Sequence, residues 1–247
     1  MIGVFDSGLG GLAAVKQIRL INPNISIAFF ADYKNAPYGT KSERELRYLV
    51  KRDLKILKEY GACKILIACC TASTVYTSLS PDEQSISVPI ISPTVRSAAK
   101  LSQNGKIGVI ATQRTVKSGV FPTLLSEYSI ITEQFEAQKL VALIENGASD
   151  ESLTKSELDT IREILSPIKK SELDTLILGC THFDWLYRTI AELLPKTTIV
   201  SSPREAAIEM MRGFEKEKGR AETVFLGAER GYKNGKIQTR KNKRCSP

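Results

Sequence analysis

The sequence predicts an α/β fold made of two pseudo-symmetric α/β domains with mostly parallel sheets and an active site between them. Three observations predict it. Short apolar runs rich in Ile, Val and Phe alternate with longer amphipathic stretches, which is the pattern of strands feeding helices over a parallel sheet. The first such run, Ile2-Gly3-Val4-Phe5, is echoed at an offset of 105 by Ile107-Gly108-Val109-Ile110. Residues 64–71 (KILIACCT) are echoed by residues 174–181 (DTLILGCT), at an offset of 110 from Cys70 to Cys180, or 111 from Cys69. Two similar offsets in one order, with a shared Cys-(x)-Thr ending, imply two related halves, each with a cysteine just past a buried strand. Ligands bind at the carboxyl ends of strands in such sheets, so facing halves would enclose a site with one thiol on each wall.

Strands are expected at 2–5, 25–31, 64–68, 88–91, 106–110, 129–131, 175–178 and 198–200, where β-branched and aromatic residues cluster. Helices are expected at 11–21, 42–60, 156–169, 185–194 and 204–214. In the second of these, Leu46, Leu49, Leu54, Ile56 and Leu57 form a broad apolar stripe. The first domain is expected over 1–93 plus 205–229 and the second over 94–204. Residues 230–247 remain as a basic tail, expected to be disordered.

The chain has 247 residues, 42% of them hydrophobic, and a net charge of +8. That charge sits at one end. Residues 230–247 hold seven basic side chains and no acidic one, so 35 minus seven leaves 28 basic against 27 acidic residues elsewhere. The body is nearly neutral, and a low-hydrophobicity tail is more often solvated than a binding arm, so a nucleic-acid partner is not expected. There is no apolar stretch of about 18 residues and the N-terminus lacks the form of a signal peptide. A cytoplasmic protein with no membrane partner is the expectation.

The five cysteines, at 63, 69, 70, 180 and 245, are odd in number and suit no disulfide framework. There is no C-x-x-C, and His182 is the single histidine, so a metal site is not expected. Thiol chemistry here should be acid–base or nucleophilic.

Gly8-Leu9-Gly10-Gly11-Leu12-Ala13 fits the dinucleotide-binding G-x-G-x-x-A pattern, with Asp32 at the end of the next strand. Two features count against a nucleotide. Asp6 and Ser7 already occupy the strand end, where a carboxylate would repel a pyrophosphate, and no hydride-transfer site follows. The same loop suits an amino acid. Ser7 and the glycine N–H groups near a helix start favour a carboxylate, while Asp6 could hold an ammonium or assist a thiol. Pro37-Tyr38-Gly39-Thr40 is either a second turn with exposed donors or a plain loop.

Most weight falls on Ala68-Cys69-Cys70-Thr71-Ala72-Ser73 and Gly179-Cys180-Thr181-His182. Each sets a thiol at a strand end with hydroxyls just beyond. A helix N-terminus lowers a thiol's pKa, which would make thiolate accessible near neutrality. His182, two positions from Cys180, titrates in the working range of pH and is a candidate proton partner. Cys63 fits the role of a buried structural cysteine.

These motifs, taken with Asp6-Ser7-Gly8-Leu9-Gly10-Gly11 and Pro37-Tyr38-Gly39-Thr40-Lys41-Ser42, resemble those of the glutamate racemases, in the right order over residues 1 to 215. Weaker matches are Thr115-Val116-x-Ser118 and Glu145 in Leu143-Ile144-Glu145-x-Gly147. The resemblance implies a two-domain, usually dimeric enzyme that converts L- to D-glutamate for peptidoglycan without a cofactor. It implies that Cys69 exchanges the proton on D-glutamate and Cys180 that on L-glutamate. Asp6 and His182 would assist the thiols, and Ser7, Tyr38, Gly39, Cys70, Thr71 and Thr181 would meet the substrate. Asp32, Thr115 and Glu145 are further polar candidates.

Two thiols make chemical sense, because a single base tends to return the proton to the face it came from. One thiolate removes the proton while a thiol opposite donates another. Pyridoxal phosphate is unnecessary, and no lysine motif calls for it. The chain departs from the family pattern at Cys70, where Asn is usual, at Gln138-Lys139 in place of Cys-Pro, and at Ser201 in place of Asp. Two other readings stay open. One is a racemase preferring aspartate or another amino acid. The other is a weakly catalytic, racemase-derived protein that binds gyrase or nucleic acid.

Overall fold

In the computed structural model, which describes residues 1–214, 216 and 219–227, the apolar runs form nine strands in two sheets among those residues. The first sheet contains β1 (Ile2–Asp6), β2 (Ile27–Ala31), β3 (Lys64–Ile67), β4 (Ser87–Pro89) and β9 (Thr223–Leu226), in the order β4-β3-β1-β2-β9. The second contains β5 (Lys106–Ala111), β6 (Ile131–Glu136), β7 (Thr175–Gly179) and β8 (Thr198–Ser201), in the order β6-β5-β7-β8. Every pairing is parallel. This is the α/β architecture the sequence predicts.

The two sheets are laid down alike. β1 to β4 occupy their sheet in the order fourth, third, first, second, and β5 to β8 repeat that order in theirs. β1 and β5 are therefore equivalent, as are β3 and β7. The sequence echoes join those same pairs, so Cys69 and Cys180 leave their sheets at matching places.

The strands are buried for the reason their composition gives: β1, β2 and β7 carry almost no polar side chain and are buried along their whole length. The helices Leu12–Ile21, Ile91–Leu101 and Ser202–Met210 contribute to the core cluster shared by β1 and β5, with Ile18, Val95 and Met210 inside it. The helix Glu43–Glu59 closes the outer face of the first sheet through Leu46, Val50, Leu54 and Leu57. Each such side chain contributes about 1.5–3 kcal/mol on burial. Three helices begin with reciprocal capping boxes, Ser42 with Glu45, Ser80 with Glu83 and Thr154 with Glu157, which satisfy backbone N–H groups that would otherwise lack partners. No helix among the described residues is long and apolar enough to cross a membrane.

Some expectations are corrected. The strand placed at 129–131 begins only at Ile131, because Ser129 takes a left-handed turn conformation with φ 59°. β6 is an edge strand of mostly polar residues, so its sequence, ITEQFE, carries no apolar run. β9, which pairs with β2 from the far end of the chain, lay outside the expected strands. The helix Ile91–Leu101 was also not anticipated. Its Pro93 reads as a breaker but falls in the first turn, where proline is tolerated. The basic segment 230–247, with Cys245, lies outside the described residues.

Candidate active site

The carboxyl ends of four parallel strands bring the chemistry together. Ser7 follows β1, Cys69 follows β3, Thr112 follows β5 and Cys180 follows β7. With Gly39 and His182 they line a cavity of about 40 Å³, room for a water molecule rather than an amino acid. Tyr38, Cys70, Thr71, Glu145 and Thr181 also line it. A larger open groove of about 650 Å³ lies beyond the helix Leu12–Ile21, between Lys16 and Arg188, and holds no thiol.

The glycine loop packs where a nucleotide would need room. A Cβ on Gly10 would collide with Thr181 Oγ1 and lie 2.8 Å from His182 Nδ1, and one on Gly11 would lie 2.6 Å from Asp6 Cβ. The loop's glycines let β1's turn touch the Cys180-Thr181-His182 segment directly, a close-approach role.

Each thiol has its own polar neighbours. Cys69 Sγ is 3.4 Å from Ser7 Oγ, and Ser7 Oγ donates to Asp6 Oδ1 at 3.5 Å. Asp6 also accepts from the Gly8 N–H at 2.9 Å and, across the two halves, from Thr181 Oγ1 at 3.1 Å. On the other wall Cys180 Sγ is 3.6 Å from His182 Nδ1, and His182 Nε2 is 3.5 Å from Glu145 Oε1. A proton on Nε2 facing Glu145 leaves Nδ1 free to accept from the thiol. Thr71, Thr112 and Thr115 hydroxyls close a triangle with sides of 3.0 to 3.2 Å.

Burial dominates the electrostatics. Both thiols are nearly enclosed, Cys69 at 6% exposure and Cys180 at 7%. Burial, then the charge of Asp6, pushes the Cys69 thiol up to about 12 against the Ser7 hydrogen bond. Burial also pushes Cys180 upward, against the His182 backbone N–H, and holds His182 down to about 4 as neutral imidazole, which corrects the expectation that it titrates in the working range of pH. The expectation that helix N-termini lower the thiol pKa values is corrected. The helix after Cys69 spans only Cys70–Ser73, too short to offset removal of a thiolate from water.

Asp6 is fully buried, and burial raises it from 3.8 to about 7 despite bonds from Gly8, Thr181 and Ser7. A raised carboxyl favours the folded state only while protonated. Its contribution is complete below pH 3.8 and is lost as pH rises through about 7. Asp6→Asn cannot ionise, so it is expected to gain stability over the parent between about pH 5 and about pH 8. The gain should be about 2–4 kcal/mol, since a tenfold change in acidity is worth about 1.4 kcal/mol. Denaturant unfolding at both pH values measures this, and a difference that does not change with pH would refute it.

Asp6 itself is set behind Ser7 rather than on the cavity surface, and Asp32 and Thr115 do not line the cavity either. Thr115 instead holds Thr71 and Thr112. Asp32 accepts from Asn35, Tyr38 and Arg52. Thr112 lines the cavity but was not singled out from the sequence. A signal existed: the 105-residue offset that maps Ile2 onto Ile107 also maps Ser7 onto Thr112. Gln138, noted only as a departure from the family pattern, lines the cavity too.

The chain is similar to known racemases. A glutamate racemase from Desulforudis audaxviator is 36% identical over 238 residues, which cover 91% of this chain and 86% of that protein. The crystal structure of a glutamate racemase isoform from Bacillus anthracis matches with a TM-score of 0.81 at 31% identity, over 91% of this chain and 86% of that one. A glutamate racemase from Francisella tularensis, solved in complex with D-glutamate, matches with a TM-score of 0.79 at 27% identity, with 91% and 86% covered. The family model for Asp/Glu/hydantoin racemases matches residues 18–211, a span that takes in both thiols, and the chain belongs to that family.

Proposed function

We propose that this protein is a glutamate racemase that needs no cofactor and moves the substrate's α-proton between Cys69 and Cys180, supplying D-glutamate for peptidoglycan. The observation that carries this reading is one cavity lined by two buried thiols, each from the equivalent strand end of its own half and each with a separate proton partner. The similarity to curated glutamate racemases supports the substrate. Because the thiols come from different halves, they can address opposite faces of one α-carbon.

The proton routes follow from the geometry. On one side, His182 Nδ1 is placed to take the Cys180 proton only as bound substrate supplies compensating charge, because burial otherwise keeps the imidazole neutral. Glu145 faces the imidazolium that forms. The Cys180 thiolate takes the α-proton of L-glutamate while Cys69 donates from the other face. Cys69 recovers a proton through Ser7, with Asp6 behind it. The reverse direction begins with the Cys69 thiolate and D-glutamate. Dry walls disfavour either thiolate alone, so the substrate ammonium must supply the compensating charge. Hydroxyls of Thr71, Thr112 and Thr181 are placed to hold carboxylate oxygens as carbanion character develops. A cavity of about 40 Å³ must widen to admit glutamate, and its walls belong to both halves.

The expected result is interconversion of glutamate enantiomers by the purified protein with neither metal nor pyridoxal phosphate added. Circular dichroism starting from each enantiomer measures it, and strict dependence on added pyridoxal phosphate would overturn it. The same reading carries a cytoplasmic protein with domains at 1–93 plus 205–229 and 94–204, and a homodimer, which the family resemblance implies.

A further inference from the structure

A buried carboxyl pair stands behind the cavity and takes no part in these proton routes. Asp53 is fully enclosed in the middle of the helix Glu43–Glu59, and Asp32, just past β2, is 4% exposed. Both reach the same phenol. Tyr38 Oη lies 2.7 Å from Asp32 Oδ2 and 2.8 Å from Asp53 Oδ2. A phenol has one proton and can donate along only one of two such short contacts. The second contact therefore needs a carboxyl O–H that donates to the phenol oxygen.

The surrounding donors decide which carboxyl holds that proton. Asp32 accepts from Asn35 Nδ2 at 2.9 and 3.0 Å and from Arg52 Nη2 at 2.5 Å, so both of its oxygens are served as an anion's. Arg52 serves Asp53 only on Oδ1, through Nε at 2.8 Å and through Nη2. Among the described residues Asp53 Oδ2 meets the phenol alone. The strands facing this helix present apolar side chains, Phe5, Phe30 and Ile67, and the thiol of that cluster, Cys69, is itself neutral. Burial first, with the charge of Asp32 adding to it, moves Asp53 up to about 7.

We propose that Asp53 is a positioning residue held as the neutral acid, donating its proton to Tyr38 Oη while Tyr38 donates to Asp32, and that this chain fixes the Tyr38-Gly39 wall of the racemisation cavity. The proposal rests on the racemase reading above. Tyr38 opens the short turn Tyr38–Thr40, and its ring lies 6.1 Å from that of Phe5. Anchoring its hydroxyl therefore anchors Gly39 at the cavity surface. Ionisation of Asp53 removes the donor and sets two carboxylates on one phenol oxygen. The wall loosens, and the loss falls on substrate binding rather than on proton transfer.

The test pairs kinetics with a spectroscopic titration. In the parent, KM for glutamate should rise up to about 10-fold as Asp53 ionises and its neutral hydrogen bond to Tyr38 is lost. Asp53→Asn keeps both an N–H for Tyr38 and an acceptor for Arg52, so its KM should stay level over the same pH range. Asp53→Ala should raise KM about 10-fold at every pH while kcat changes by less than about twofold. Carbon-13 spectra of aspartate-labelled protein should contain a carboxyl resonance titrating at about 7 that Asp53→Asn removes, with that of Asp6 remaining. Should Asp53→Asn not fold, Tyr38→Phe must shift the same resonance. The proposal is overturned if no second carboxyl titrates near neutrality, if the resonance ignores Tyr38→Phe, or if Asp53→Asn raises KM as much as Asp53→Ala. A protein inactive on glutamate would defeat the racemase reading, yet the titration would still decide the state of Asp53.

Discussion

Replacing Cys69 or Cys180 by serine is expected to lower kcat for racemisation by about 10²–10⁴-fold, the range a positioned acid or base contributes. Serine nearly matches cysteine in shape, so the walls should keep their packing, but its hydroxyl is far too weak an acid to cycle between the two states. The two variants should fail differently. With Cys180→Ser, Cys69 can still remove and return the proton on its own face, so solvent deuterium should enter D-glutamate without inversion. With Cys69→Ser the same exchange should be seen on L-glutamate. Cys63, expected to be a buried structural cysteine, is instead exposed, and its thiol donates to the Met1 carbonyl at 3.2 Å, so Cys63→Ser should leave racemisation unchanged. Circular dichroism gives the rate and proton NMR gives the exchange. Full racemisation by either of the first two variants would end the two-thiol mechanism.

The difference between these thiols and Cys63 could be read in the sequence because it lies in position along the chain. Runs such as KILIA and TLILG are so apolar that they can only be buried strands, and a polar Thr-rich turn just after them marks the carboxyl end. The repeat offsets then placed Cys69 and Cys180 on equivalent strands, as the matching strand orders of the two sheets bear out. The helix Glu43–Glu59 was equally plain, because a stripe of leucines at helical spacing follows a serine with a glutamate three residues on.

Other features depend on distances the sequence does not carry. Nothing local marks β6, an edge strand bonded on one side only, whose polar residues give no period to read. Asp32 completes a nucleotide-binding pattern and stands as a further polar candidate, yet its carboxylate is consumed by Asn35, Tyr38 and Arg52. Asp53 stands among many charged residues of its helix, and nothing in the sequence singles it out. Its burial depends on which face of that helix meets the sheet, and its phenol partner comes from a different loop. The thiol pKa values point the same way: spacing suggested a helix terminus and hence a lowered value, whereas enclosure by both halves raises them. Desolvation is a property of the assembled cavity.

Restoring asparagine at position 70 is expected to raise kcat/KM for glutamate by about 10- to 150-fold, the worth of one hydrogen bond to a charged group at roughly 1.5–3 kcal/mol. Cys70 is 2% exposed, lines the cavity beside both working thiols, and is held neutral by burial well above its ordinary range. It therefore offers the substrate neither charge nor a strong donor. An asparagine there has a carbonyl and two N–H groups to spend. Ser202 Oγ, which interacts with Cys70 and already donates to the Leu178 carbonyl at 2.7 Å, retains a lone pair that can accept one N–H and orient the amide. The second N–H is then free for a substrate carboxylate. There is an opposing cost, because Cys70 also packs in an apolar cluster with Ile90 and Ala206. An amide edge turned toward them loses about 1–2 kcal/mol, which lowers Tm by several degrees in a chain of this size. Thus Cys70→Asn should be the faster and less stable enzyme. Steady-state kinetics beside a thermal melt, both under reducing conditions, separate the two effects. An unchanged or lower kcat/KM in a folded variant would mean that the cavity has adapted around the thiol. The amino acid it accepts best would then differ from glutamate in the group that asparagine would otherwise hold.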